Sequence, residues 1–175
     1  MQLQRNAVVC EFGVRLPCSR AEAFELDKSN GTAKWQDAIA LELDQPDEHD
    51  TLIDRGVKIA GPSGFKRINC RFVFDRKQDL RHKARLVAGG HMPAPPKESA
   101  CSGIVSSRST RIVASLVELS GIEMQAADVV NAHLEAVTSE KEVCFIAGPE
   151  FGEQAGHTLI ICKALQGLRT SGARW

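Results

Sequence analysis

Residues 67–74 alternate between polar and apolar side chains, and this pattern limits the possible fold more than any other part of the chain. The alternating residues are Arg67, Ile68, Asn69, Cys70, Arg71, Phe72, Val73 and Phe74. A period of two places the apolar set on one face of a β-strand and leaves the other face open to solvent. Asp79 and Leu80 then turn the chain into a second strand, which we predict over 83–88. The pattern therefore predicts a β-hairpin with basic residues on both strands.

The segment before this hairpin predicts helix. Residues 21–43 are typical of two helical pieces broken at Asn30-Gly31, and a loop containing Pro46 is expected over 45–50. The residues expected on one helical face are Trp35, Ala38, Ile39 and Leu43. This stripe indicates packing against a core and not a binding site.

The second half of the chain mixes helix and strand. A helix is predicted from Ser106 or Ser109 to about Leu119, with Gly121 ending it. The remaining predicted elements are strands at 122–129, 143–146 and 158–162, a helical turn at 131–134 and a turn at 148–152. Together these elements predict an α+β protein.

The charges are segregated, although the formal net charge is zero. Residues 21–54 carry ten acidic and two basic side chains, whereas residues 66–85 carry eight basic and two acidic side chains. A basic stripe of this density can follow a phosphate backbone or hold a triphosphate. A solvated strand face is the other interpretation, and charge alone does not choose between the two.

Size and composition bound the class of protein. The 175 residues, 43% hydrophobic and 25% charged, suit one ordinary globular domain or part of a larger one. No run of eighteen apolar residues is present, so we expect no membrane association, and the N-terminus lacks a secretion signal pattern. The six cysteines form no C-x-x-C pair, which favours reduced thiols in a cytosolic or nuclear setting.

Asp128 stands within a mostly apolar stretch, "MQAADVVNAHLEA" (124–136). An aspartate in that setting is an accident of sequence, a cap or buried ion-pair partner, or a metal ligand. As a cap it would begin the predicted turn at Asn131. As a ligand at a strand end it would suit magnesium, which prefers carboxylate oxygens. The stretch alone leaves these interpretations open.

Three separated segments share one resemblance: "HKARLVAGG" (82–90), "DVVNAHL" (128–134) and "KALQGLRTSGARW" (163–175). Their order and spacing resemble the reverse transcriptase of copia-type LTR retrotransposons (Pseudoviridae). That family typically has Y-K-A-R-L-V-A-x-G, then D-V-x-x-A-[FY]-L-N-G, then A-L-Y-G-L-K-Q-x-x-R-x-W. The resemblance extends over residues 35–175. It implies an α+β fold with the fingers hairpin and an incomplete palm of a right-hand polymerase.

The same resemblance implies a division of the chain and a metal site. Residues 1–60 would be an N-terminal connector with helices, and residues 61–175 the fingers and a truncated N-terminal part of the palm. Asp128 would be the first catalytic carboxylate and a metal ligand, and the carbonyl of Val129 a second ligand. Two Mg²⁺ (or Mn²⁺) ions, expected only in the complete enzyme, would assist nucleotidyl transfer.

Further residues acquire implied roles in binding. Lys83 and Arg85 resemble the fingers cations that grip the triphosphate of the incoming nucleotide. His133 stands where the family has Phe or Tyr beneath the deoxyribose, a smaller and polar replacement. The pair Gln166-Gly167 stands where Tyr-Gly lines the nucleotide pocket. Arg81 and Arg169 would contact nucleic acid, with an ordinary surface cation as the alternative for Arg169.

The chain also departs from the family pattern. A Y-x-D-D element is expected beyond the closing Trp175, and no Asp-Asp pair occurs in the 175 residues. Tyrosine is absent, and "LEA" (134–136) replaces L-N-G. The residues found at family aromatic positions are His82, His91, His133, Cys144 and Gln166. We therefore expect a decayed or fragmentary copy that does not polymerise by itself, without the rest of the palm, the thumb and any RNase H segment.

The resemblance thus predicts a fragment of an RNA-directed DNA polymerase, which is a nucleotidyltransferase. The fragment would belong to the Pol polyprotein of a transposable element, and that polyprotein would also serve DNA integration. Expected partners are an RNA or DNA template-primer and dNTPs, and the expected location is a cytoplasmic virus-like particle or the nucleus. Two alternatives remain: a nucleic-acid-binding remnant without catalysis, and a translated relic that does not fold stably alone.

Overall fold

The computed structural model describes residues 9–57, 63–90, 103, 105–127, 134, 136, 143–169 and 171, apart from the side chain of Asp47. The strands are β1 (Cys10–Glu11), β2 (Val14–Arg15), β3 (Leu52–Val57), β4 (Lys66–Arg67), β5 (Cys70–Arg76), β6 (His82–Ala88), β7 (Val143–Ile146) and β8 (His157–Ile161). The helices are α1 (Arg20–Asn30), α2 (Lys34–Glu48), α3 (Ser107–Ser120) and a 3-10 helix (Pro149–Gln154). None of these helices is long and apolar enough to cross a bilayer.

The two N-terminal helices are separated as predicted. Ser19 caps α1 by accepting a hydrogen bond from the backbone N–H of Glu22, and Gly31 ends the helix in the left-handed conformation, with φ of 62°. The predicted loop at 45–50 is wrong over 45–48, because α2 continues through Pro46 to Glu48, and only residues 49–50 form a turn. Pro46 has no N–H to donate within the helix, but only two residues of α2 follow it, and its carbonyl accepts a hydrogen bond from the N–H of Thr51 at 2.8 Å.

Asp27 joins the two helices. Its carboxylate is 1% exposed and accepts hydrogen bonds from the backbone N–H groups of Trp35 and Gln36, each at 3.0 Å. The hydroxyl of Thr32 donates a third bond. The first N–H groups of a helix have no partner within the helix, so this buried carboxylate satisfies the start of α2.

The predicted hairpin is confirmed as the antiparallel pair β5–β6. Phe72 pairs with Leu86 and Phe74 with Ala84, and all four side chains are buried. The turn is closed by a hydrogen bond from the N–H of Lys77 to the carbonyl of Arg81. The register leaves the alternate, more polar side chains on the opposite face.

A four-stranded sheet has the order β3-β8-β7-β4. The predicted strands at 143–146 and 158–162 are confirmed as β7 and β8, which pair in antiparallel fashion with the 3-10 helix between them. The short strand β4, just before the hairpin, pairs parallel with β7. This parallel pair connects the hairpin region to a part of the chain far away in sequence.

One hydrophobic core joins these parts. The predicted stripe on α2 is confirmed, since Trp35, Ala38 and Ile39 are buried and Leu43 packs against them. Trp35 meets the ring of Phe74 edge-on, with ring centroids 5.5 Å apart. Buried side chains of β7 and β8 belong to the same cluster. The helices before residue 60 and the hairpin after it therefore share one core.

The predicted helix near residue 110 is confirmed as α3, with Ser106 as N-cap and Gly121 as C-cap. It has no buried side chain, and its apolar residues Ile112 and Leu116 are about half exposed. The predicted strand at 122–129 is wrong for residues 122–127, which form no strand. These residues are exposed and pair with no neighbouring strand, so backbone pairing and burial, which stabilise strands, are both missing there.

Candidate functional site

The open edge of β6 carries the candidate site. Within the described residues β6 pairs only with β5, and its other edge lies along α2. The carboxylate of Glu42 on α2 accepts a hydrogen bond from the backbone N–H of Leu86 at 2.7 Å. Burial raises the pKa of Glu42, whereas this N–H and the cations of Lys83 and Arg85 act in the opposite direction.

A cavity of about 90 Å³ opens at this edge. It is lined by Glu42, Gln45, Pro46, Lys83, Arg85, Leu86, Leu134, Leu165 and Gln166. Lys83 and Arg85 come from the first sequence motif, Leu134 from the second and Gln166 from the third. The fold thus brings three motifs that are far apart in sequence to one small cavity.

The turn at Gln166-Gly167 packs directly on β6. The carbonyl of Gln166 accepts a hydrogen bond from the N–H of Ala88 at 2.7 Å. Gly167 has φ of +94°, and a Cβ there would lie 2.3 Å from the carbonyl oxygen of Ala88. A Cβ on Gly90 would lie 2.1 Å from the carbonyl oxygen of Gly167. Only glycine permits both approaches, so the first and third motifs meet through their backbones.

The two cavity cations differ in their surroundings. Nη1 of Arg85 lies 3.2 Å from Oδ2 of Asp75 on the neighbouring strand. Lys83 lines a second cavity of about 230 Å³ as well, together with Lys77 and Arg81 near the hairpin turn. The positive side chains therefore continue from the first cavity toward the turn.

The predicted nucleic-acid contacts Arg81 and Arg169 do not line the smaller cavity as far as the described residues define it. Arg81 is exposed at the hairpin turn, where Nη2 lies 2.6 Å from Oδ2 of Asp79. That aspartate raises the pKa of Arg81 through a hydrogen bond. Arg169 is exposed in the turn after Leu168. Both arginines therefore lie on the surface, outside the wall of the smaller cavity.

The predicted metal ligands Asp128 and Val129, and His133 at the sugar position, lie outside the described residues. Their neighbour Leu134 is 8% exposed and lines the cavity. Within the described part of the chain, no group of three or more His, Cys, Asp or Glu side chains could hold a metal ion. The described residues thus provide a cationic cavity and no metal centre.

Sequence reasoning missed Glu42 and Asp75, the two carboxylates beside the cations. Glu42 lies seven residues after Trp35, a spacing that returns to the same helical face, so its place next to the core was open to prediction. Asp75 lies one residue beyond the alternating pattern of 67–74, and its spacing from Val73 places it on the same hairpin face. Its contact with Arg85 depends on the pairing register, which alternation alone does not determine.

Comparison with known proteins finds relatives of the chain among transposon polyproteins. It is 33% identical over 113 residues to the Gag-Pol polyproteins of transposons Ty1-BL, Ty1-NL2 and Ty1-DR5 of Saccharomyces cerevisiae. The matched region covers 62% of this chain and about 6% of each of those proteins. No protein-family model matches the chain. No solved structure matches it. Over the matched region, the chain is a homologue of the Gag-Pol polyproteins of a copia-type retrotransposon.

Proposed function

We propose that the chain is the fingers and N-terminal palm part of a copia-type reverse transcriptase, an RNA-directed DNA polymerase, with residues 1–60 as a connector. In this proposal the cavity at the edge of β6 holds the phosphates of an incoming dNTP. The observation that carries it is the meeting of Lys83, Arg85, Leu134 and Gln166, from three motifs, at one cavity. Homology to Gag-Pol polyproteins supports the same assignment.

The chemistry of the cavity suits a polyphosphate. Arg85 offers a planar fork of N–H donors that matches two phosphate oxygens, and Lys83 adds a compact point charge two residues away. Drug-sized ligands occupy pockets of roughly 300–1,000 Å³. The cavity of about 90 Å³ is too small for a whole nucleotide. We therefore assign it to the phosphate groups, with the sugar and base extending outside it.

The remaining roles follow the same proposal. His133 would lie beneath the sugar, and the Gln166-Gly167 turn would form the floor of the nucleotide site. Asp128 and the carbonyl of Val129 would hold Mg²⁺ or Mn²⁺, which would supply charge neutralisation during nucleotidyl transfer. Arg81 and Arg169 contact the RNA or DNA template-primer. The expected setting is a cytoplasmic virus-like particle or the nucleus.

Triphosphate binding tests the proposal. We expect the double variant Lys83→Ala/Arg85→Ala to bind dATP at least about ten-fold more weakly than the unaltered chain, because two charge-assisted contacts are lost. Arg108→Ala/Arg111→Ala removes the same charge from exposed positions on α3 and is the matched control. Isothermal titration calorimetry measures each affinity. An unaltered chain that does not bind dATP, or an equal loss in both double variants, would contradict the proposal.

A second candidate is a nucleic-acid-binding module without nucleotide chemistry. It is favoured by the continuation of positive charge from Lys83 through Lys77 and Arg81 toward the exposed hairpin turn. Such a module would bind an RNA–DNA duplex with an affinity that falls steeply with salt, and would not bind dATP. Duplex binding without dATP binding, lost in Lys77→Ala/Arg81→Ala, selects this candidate over the first.

A further inference from the structure

Arg85 already has an anionic partner in the protein. Its guanidinium lies 3.2 Å from the carboxylate of Asp75, and the two side chains are 27% and 31% exposed. Asp75 is paired across the hairpin with Lys83, and Arg85 with Val73, so the ion pair is diagonal on one face. Any anion that uses Arg85 must share it with, or take it from, Asp75.

The surroundings keep Asp75 ionised. Burial acts to raise its pKa, but a hydrogen bond shared with the Glu11 side chain and the hydrogen bond and charge of the Arg85 guanidinium hold the pKa below the usual range of an aspartate. The N–H of Arg76 donates to Glu11, which keeps that carboxyl next to the hairpin. Asp75 is therefore a standing negative charge beside the cavity.

Glu42, on the other side of the cations, is bound differently. Its carboxylate accepts a hydrogen bond from the backbone N–H of Leu86 and is more deeply buried than that of Asp75. A ligand that displaced Glu42 would therefore open the contact between α2 and β6. The ion pair of Asp75 joins two partly exposed side chains and separates without backbone movement. Asp75 is thus the carboxylate that a ligand can displace.

We propose that Asp75 is a specificity-determining residue, which competes for Arg85 so that the cavity binds polyphosphates and binds a single phosphate group only weakly. This inference rests on the proposed function, since it takes the cavity to be a phosphate site. A single phosphate group that displaces Asp75 from Arg85 replaces one ion pair by another, so its net binding free energy is small. A polyphosphate brings several charges and contacts Lys83 at the same time, so the exchange is favourable.

Calorimetric titration of the full chain with tripolyphosphate and with inorganic phosphate tests this. Asp75→Asn removes the competing charge, and we expect tripolyphosphate to bind about 3–10-fold more tightly, as for loss of a modest ion pair. Inorganic phosphate should gain affinity as well, so that its binding becomes measurable in Asp75→Asn. Asp54→Asn is the matched control, because it removes the same charge from an aspartate on β3 that pairs with His157 of β8. It should leave both affinities unchanged.

Asp75→Glu keeps the carboxylate and should retain the affinities of the unaltered chain, which separates competition from a general disturbance of the hairpin. An unchanged or weaker tripolyphosphate affinity in Asp75→Asn overturns the inference, and so does an equal gain in Asp54→Asn. In either case the proposed function still stands if tripolyphosphate binding is lost in Lys83→Ala/Arg85→Ala. If the unaltered chain and Asp75→Asn both fail to bind tripolyphosphate, the phosphate site and the inference fall together.

Discussion

Gly167 shows how much one residue can determine at the candidate site. Its positive φ requires glycine or a strained side chain, and its missing Cβ lets the Gln166-Gly167 turn reach the backbone of β6. Gly64 has the same φ of +94°, yet a Cβ there would meet nothing within 4 Å. Comparing these two glycines separates backbone strain from close packing, because Gly167 is subject to both and Gly64 only to strain.

At this scale we predict that Gly167→Ala lowers the free energy of unfolding by about 2–4 kcal/mol, the sum of backbone strain and overpacking. Gly64→Ala should lower it by about 1 kcal/mol, from strain alone. Urea denaturation followed by circular dichroism measures both. Equal losses in the two variants would mean that the turn at Gly167 does not pack on β6 as described.

At the scale of elements, the contact between α2 and β6 depends on one buried carboxylate. Glu42 satisfies an N–H on the strand edge, but burial makes its ionised form unfavourable and raises its pKa above the ordinary 4.5. Between pH 4.5 and the raised pKa the folded protein binds more protons at this group than the unfolded chain does. Its stabilising contribution is therefore complete below pH 4.5 and is lost as the pH rises through the folded-state pKa.

We accordingly predict that Glu42→Gln, which still offers an oxygen to Leu86, becomes more stable relative to the unaltered chain as the pH rises above 4.5. Urea denaturation at a series of pH values from 4 to about 7.5 measures this difference. Glu25→Gln, at an exposed position of α1, is the control and should show no such trend. A flat difference for Glu42→Gln would show that Glu42 titrates as an exposed glutamate does.

Local elements of this fold were open to prediction from the sequence, and the contacts between them were not. Alternation identified β5 and β6, and the caps Ser106 and Gly121 identified the ends of α3, because these signals act within a few residues. The loop predicted around Pro46 was wrong over 45–48, because α2 stays helical through the proline to Glu48. The strand predicted at 122–129 failed over 122–127 because apolar residues alone do not supply a pairing partner.

The same distinction between local signals and tertiary contacts applies to the candidate site. The motif resemblance identified Lys83, Arg85 and Gln166, and the structure brings these three to one cavity. Glu42 and Asp75 were missed because their importance comes from tertiary contacts with β6 and Arg85. The roles assigned to Asp128, Val129 and His133 remain predictions.

At the scale of the whole molecule, stability is unevenly distributed. The core joins α2, the hairpin, β7 and β8, whereas α3 has no buried side chain in the described structure. Isolated helices shorter than about 12–15 residues are marginal in water. The 14 residues of α3 are near that limit, so its stability depends mainly on its caps and not on packing.

We predict that amide hydrogen exchange, followed by mass spectrometry, will be fast in α3 and slow in β5, β6 and β8. Exchange in the core strands should require near-global unfolding, whereas α3 should open locally. The peptides compared should cover 107–120 and 157–161. Equal protection in the two regions would contradict this prediction and would indicate that the apolar stripe of α3 is covered in solution.

The backbone contact between Gln166 and Ala88 also has a consequence for the time at which the site forms during synthesis. The two walls of the cavity are about 80 residues apart, which a ribosome adding about 5–20 residues per second covers in roughly 4–16 s. During that interval the emerging hairpin exposes Lys83 and Arg85 without the turn that later encloses them. The nascent chain therefore passes through a stage in which Lys83 and Arg85 are displayed before the candidate cavity exists.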